Sequence, residues 1–296
     1  MTKTFDFGYG PVPAHRHKNP DGSEGGWVAE TAQVSGNARV SGNAWVYGNA
    51  QVFGNARVYG NAQVFGNARV FGDARVSGDA RVYGDAQVFG NAQVFGNARV
   101  FGDARVSGDA RVFGDAWVSG DAQVFGNAQV FGNAWVYGDA RVSGDARVFG
   151  DAQVFGDAWV YGDAQVFGDA WVYGNARVSG NAWVYGNARV YGNAQVFGNA
   201  RVFGDAYASG QWINYAWDSW TDKDAARWLR YGCELHLLSD WTETKIGDLV
   251  AVHEPRSVDK YVRGLAALVA LCSTLPNDVA PSKEPPAASG GRDGGV

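Results

Sequence analysis

Valine stands at every sixth position from Val28 to Val202, without a skipped beat. An alanine lies two residues before nearly every one of these valines, and between and after them come polar or aromatic residues. Two apolar residues two apart have the alternation of a strand, whose successive side chains point to opposite faces. A helix would need apolar spacing near 3.6 residues and would carry a glycine in every second turn, which is costly. Each phrase continues with Gly and then Asn or Asp, residues that tolerate left-handed backbone angles and so supply a bend. One hexapeptide is therefore one short strand and one corner, and the corner's left-handed angle is expected at the Asn or Asp. A unit this small cannot bury its own apolar face, so the units must stack.

From Val34 onward there are 29 such hexapeptides. Three strands per turn give an 18-residue rung and about ten rungs, hence a rod roughly 45–50 Å long at sheet spacing. The phrase Val, Ser/Tyr/Phe, Gly, Asn/Asp, small residue, Arg/Gln/Trp/Tyr resembles the hexapeptide-repeat superfamily. That resemblance implies an all-β, left-handed triangular parallel β-helix over residues 28–209. The lead-in "VPAHRHKNPDGSEGGWVAETA" and the later "RYGCELHLLSDWTE" are similar to bacterial and bacteriophage hexapeptide proteins with a C-terminal cap.

Open ends of such a coil expose unpaired backbone and valine core, so caps are required. Residues 1–27 form the N-terminal segment, with "GGWVAETA" and Trp27 at the coil entrance. Residues 210–275 are expected to form a small α+β cap. Within it "SVDKYVRGLAALVALCSTL" has apolar positions three or four apart, the mark of an amphipathic helix. Residues 276–296, rich in Pro, Gly and Ser, read as a disordered tail.

Composition narrows the chemistry. The formal charge is -5, and the coil from Val34 to Ala206 balances 13 Arg against 14 Asp. No electrostatic funnel for a polyanion exists, so nucleic acid is not expected as a partner. Two cysteines are too few for a disulfide framework, and no stretch reaches membrane-spanning length. A cytoplasmic protein without membrane contact is the expectation.

Many superfamily relatives are acyltransferases with a histidine at the coil, and some bind zinc. This chain departs from them, because the coil contains no His, Cys or Lys and no inserted loop. Nothing in it could activate a nucleophile. The histidines lie elsewhere: His15 and His17 in "AHRH", His236 paired with Cys233 in a Cys-x-x-His spacing that is half a zinc site, and His253. These read as cap residues, and neither a metal nor another cofactor is expected. A composite acyltransferase-like site near the C-terminal cap is the alternative. Asp85, Asp103, Asp121, Asp139 and Asp157 recur 18 apart on one corner and read as a solvated column, lacking the converging oxygens of a cation cage.

The outward residues after each valine separate by the 18-residue period into three faces. On the first, aromatics are interrupted by serines. On the second, Phe95, Phe113, Phe131, Phe149, Phe167, Tyr185 and Phe203 run without a break. The third carries Tyr and Phe together with Trp45, Trp117, Trp135 and Trp171 before its valines. Stacking between rungs explains some aromatics on every face. A continuous stripe about 30 Å long points further, to a partner. The second and third faces are thus the expected interaction surfaces of a non-enzymatic scaffold, self-associating as a dimer or trimer or binding another protein.

Overall fold

In the computed structural model the described residues are 3–204, 206–209, 212–213, 217–221, 227–231 and 234–237. The chain divides into two units, 1–216 and 217–296. The first is an all-β parallel solenoid of about ten turns with an 18-residue repeat. Each hexapeptide contributes a two-residue strand such as Gln123–Val124 or Gln129–Val130. Inside the coil each strand pairs in parallel with the strands 18 residues before and after it, as Val124 does with Val106 and Val142. Three sheets result, one per face.

Strand alternation puts valine and alanine inside. From Val40 to Ala200 the repeat valines and alanines are fully buried, and no side chain larger than valine enters that column. The backbone is held between turns by a fixed set of bonds: the residue before each valine donates to an alanine carbonyl one turn on, and the residue after it to a valine carbonyl. Arg57 N to Ala74 O is 2.9 Å and Tyr59 N to Val76 O is 3.0 Å.

The corners correct one expectation. The left-handed angle belongs to the glycine, not to the Asn or Asp behind it: from Gly36 to Gly204 the corner glycines have φ between +61° and +73°. Corner glycines also stack on one another, so a Cβ on Gly126 would lie 3.0 Å from the nitrogen of Gly144. Only glycine meets both demands. The amide residue has a different task, because Asn side chains donate down the corner to the residue one turn on. Asn127 Nδ2 to Asp145 Oδ1 and Asn133 Nδ2 to Asp151 Oδ1 are both 2.9 Å. The column from Asp85 to Asp157 has no amide donor within it. These aspartates remain exposed.

The N-terminal end is closed by an antiparallel meander, β1 (Thr4–Asp6), β2 (Pro11–Lys18) and β3 (Glu24–Ala29). Trp27 and Val28 of β3 then pair in parallel with Trp45 and Val46, which hands the meander over to the third face. Gly25 and Gly26 let β3 lie directly on the first turn, since a Cβ on either would collide with the carbonyl oxygen of Val40 or Ala44. Among the described residues the second face has no strand above Arg39–Val40, which leaves the amide of Val40 in need of another acceptor. Buried Asn19 supplies the acceptor, its Oδ1 3.0 Å from Val40 N. Phe7, Ala14 and Ala29 form a small core beneath the meander.

In the second unit, Trp217–Thr221, Arg227–Tyr231 and Glu234–Leu237 form a three-stranded antiparallel sheet. The helix expected near residues 257–275 and the tail lie outside the described residues.

Candidate interaction faces

On the second face the sequence-predicted stripe is a physical stack. Phe95, Phe113, Phe131, Phe149, Phe167 and Tyr185 follow one another with ring centroids 4.8–4.9 Å apart and interplanar angles of 1–4°. Phe203 ends the column at 5.0 Å and 12°. The rings are spaced by the sheet itself, so one strand separation sets both the backbone ladder and the π-stack. Stacking changes their exposure. Rings with serine above and below stand open, with Tyr59 39 %, Phe125 39 % and Tyr161 37 % exposed. The stacked seven are half-buried because each hides its neighbours' faces. What remains toward solvent is a strip of ring edges.

The third face carries two such columns. Tyr47, Phe65, Tyr83 and Phe101 stack, as do Tyr137, Phe155, Tyr173 and Tyr191, with Ser119 interrupting. Burial of its ring pushes the Tyr47 hydroxyl's pKa up to about 12. Beside this ladder, Trp117 stacks on Trp135 at 4.9 Å while Arg99 covers its other side at 4.7 Å. Arg189 lies 5.0 Å over Trp171. Trp135 is the most open of these, at 41 % exposed. Trp45 sits apart, edge-on to Phe5 and Phe7 at the rim of an N-terminal cleft of about 440 Å³. The four tryptophans thus share a face without forming one site.

Sequence reasoning missed three groups. Phe5 stacks on Trp27 and Phe7 on Tyr47, extending the third-face ladder into the cap. Their alternation in "TFDFG" was the available signal. Trp159 on the first face lies between two guanidiniums, Arg141 at 4.9 Å and Arg177 at 5.4 Å. Trp183 is covered by Arg201 at 4.8 Å. All three pairs follow from the 18-residue offset, which places Arg directly above or below Trp. Cation–π contact then uses the indole face within the rod.

His15 and His17 lie two residues apart on β2, whose register against β3 shifts between Arg16 and Lys18. His15 Nδ1 donates to Glu30 Oε1 at 2.9 Å. His17 Nε2 is buried with no hydrogen-bond partner among the described residues. Burial lowers the pKa of His17; the Ala38 carbonyl pulls it back up, and His15 pushes it down further. A group whose folded pKa is depressed binds its proton more readily when unfolded. Its stabilising contribution is therefore present above the unfolded value near 6.5 and lost as pH falls. The melting temperature of the solenoid is expected to drop between pH 7 and 5, and by less in His17→Asn. An equal drop in both proteins would refute the role of His17.

Among the described residues no group of three or more His, Cys, Asp or Glu could hold a metal ion, and no helix is long and apolar enough to cross a membrane. Cys233 and His253 lie outside the described residues, and His236 falls on the strand Glu234–Leu237.

A family model described as the YdcK β-solenoid repeat matches the chain eleven times: at residues 32–48, 50–64, 62–78, 74–90, 92–107, 104–120, 122–138, 140–156, 170–186, 184–195 and 194–210. Together these cover more than half of the chain. Comparison with curated proteins found no match.

Proposed function

Because this chain belongs to the YdcK β-solenoid repeat family, its coil is the part from which a function has to be argued, and we propose that it is a non-enzymatic scaffold that associates with a second copy through its aromatic faces. In this reading the coil is left-handed and triangular over residues 28–209, with a cap over 210–275 and a tail over 276–296. The second face is the main contact and the third a subsidiary one. An acyltransferase-like enzyme would need a base beside the coil, and the repeat sequence provides none.

One observation carries the reading. Serine serves the position after valine at seven places in the repeat and makes the same backbone bond as phenylalanine, 2.9 Å for Ser107 N to Val124 O against 3.0 Å for Phe113 N to Val130 O. The coil itself therefore does not need a ring there. Seven consecutive rings on one face nonetheless maintain a continuous apolar strip, the kind of surface that marks a contact.

Replacing Phe113, Phe131 and Phe149 together with serine tests it. Four ring stacks are lost, at a cost of about 2 kcal/mol, and the rod is expected to keep its β-sheet circular dichroism. In sedimentation, wild type is expected as a dimer at micromolar concentration and the triple variant as a monomer, since contact energy concentrates in central aromatics. A monomeric wild type would overturn the reading.

A further inference from the structure

Resting on the reading that the second face pairs with a second copy, we propose that the two rods run antiparallel, in the single register that centres the two-fold axis on Phe149 and Arg147. A face-to-face dimer has its axis in the interface plane, either along the rods or across them. An axis along the rods makes them parallel and lays the Arg/Gln column of each copy over the aromatic column of the other. An axis across them makes them antiparallel and sets like column against like column.

The rings decide between these. Stacked within 1–4° of parallel, they spend their faces on one another and present edges outward. A ring edge is the positive rim of the quadrupole, so Arg111, Arg147 and Arg201 gain nothing by lying over it. Set edge to edge at matching levels, the two strips instead form an apolar seam with no guanidinium laid over the aromatic column. Such packing requires an untwisted sheet, and near-zero rotation between successive rings is that condition.

Register follows from length and charge. Centring on Phe149 opposes all seven rungs from Phe95 to Phe203. About seven rungs of 4.8 Å, roughly 15 Å wide, bury on the order of 1,000 Å² in total, the lower limit for a specific interface, so shorter overlaps fall below it. In this register Arg111 comes opposite Trp183, and Gln93 opposite Arg201. Along the rims every off-axis aspartate meets an amide: Asp115 faces Asn187, Asp169 faces Asn133, Asp109 faces Asn181, and Asp163 faces Asn127. On one rim and in the column beside it, the like charges brought together at the axis, Arg147 and Asp145, compensate each other, because each Arg147 can reach the second copy's Asp145. On the other rim Asp151 meets its own copy. The first three turns, with Arg39, Arg57 and Arg75 beside Ser41, Tyr59 and Ser77, stay outside the overlap.

Distances between spin labels test the arrangement. With Cys233 and Cys272 replaced by serine, single cysteines are introduced as Asp151→Cys and Asn97→Cys, and oligomeric state is checked by sedimentation. In the proposed dimer, the two labels at 151 share one level and lie less than about 20 Å apart, while those at 97 are offset by six rungs, roughly 29 Å along the rod. Equally short distances at both sites would mean parallel rods and overturn the inference while leaving self-association intact. A long distance at 151 would overturn the register. A monomer in sedimentation would instead overturn the underlying reading.

Discussion

Gly26→Val is expected to detach the N-terminal cap and lower the solenoid's stability by about 3 kcal/mol or more. β3 lies on the first turn so closely that any Cβ at residue 26 collides with the Ala44 carbonyl. Backbone cannot yield there without breaking the Trp27–Trp45 pairing that joins cap to coil. Lifting the meander would also withdraw Asn19 from the Val40 amide and uncover the end of the valine column. An exposed sheet edge over an apolar end invites aggregation. The variant should thus melt earlier and bind a hydrophobic dye before the coil itself unfolds. A melting curve superimposable on wild type would show that the meander does not close the coil.

Gly126→Val is expected to cost about 2–3 kcal/mol, against no more than about 1 kcal/mol for Asn127→Val. The first forces a β-branched residue to φ near +70° with its Cβ 3.0 Å from the Gly144 nitrogen. The second removes one exposed amide-to-carboxylate bond, that from Asn127 to Asp145. Chemical denaturation of the two variants side by side measures the difference. Equal losses, or a larger loss at Asn127, would mean that the amide residue holds the strained angle after all.

Most of the fold was legible because the repeat leaves one degree of freedom. With valine every six residues and three strands per turn, the 18-residue offset determines which residues stack, and Phe113 over Phe131 or Asn127 over Asp145 follow by counting. The corner was misjudged because Gly and Asn both tolerate left-handed angles. What separates them is the close approach of glycine to glycine between turns, which composition does not reveal. Phe5 and Phe7 were missed for a related reason: they lie outside the repeat, so no period assigns them to the third face.

The sequence by itself determined the strand, the place of the bend, the turn length and the three columns of outward residues, since each is a local or periodic property. Tertiary structure decided which groups those columns leave available. Stacking hides the ring faces of Phe95 to Phe203 and leaves edges, while Tyr59, Phe125 and Tyr161, with identical local sequence roles, stand open. Guanidiniums one turn away cover Trp117, Trp159, Trp171 and Trp183. The closure of the coil by Asn19 and two glycines is also a tertiary matter, because it joins residues brought together only when β3 lies on the first turn. The physical reason is common to all three: exposure depends on how the group one sheet spacing away across the turn is oriented, and that orientation belongs to the stack rather than to the phrase.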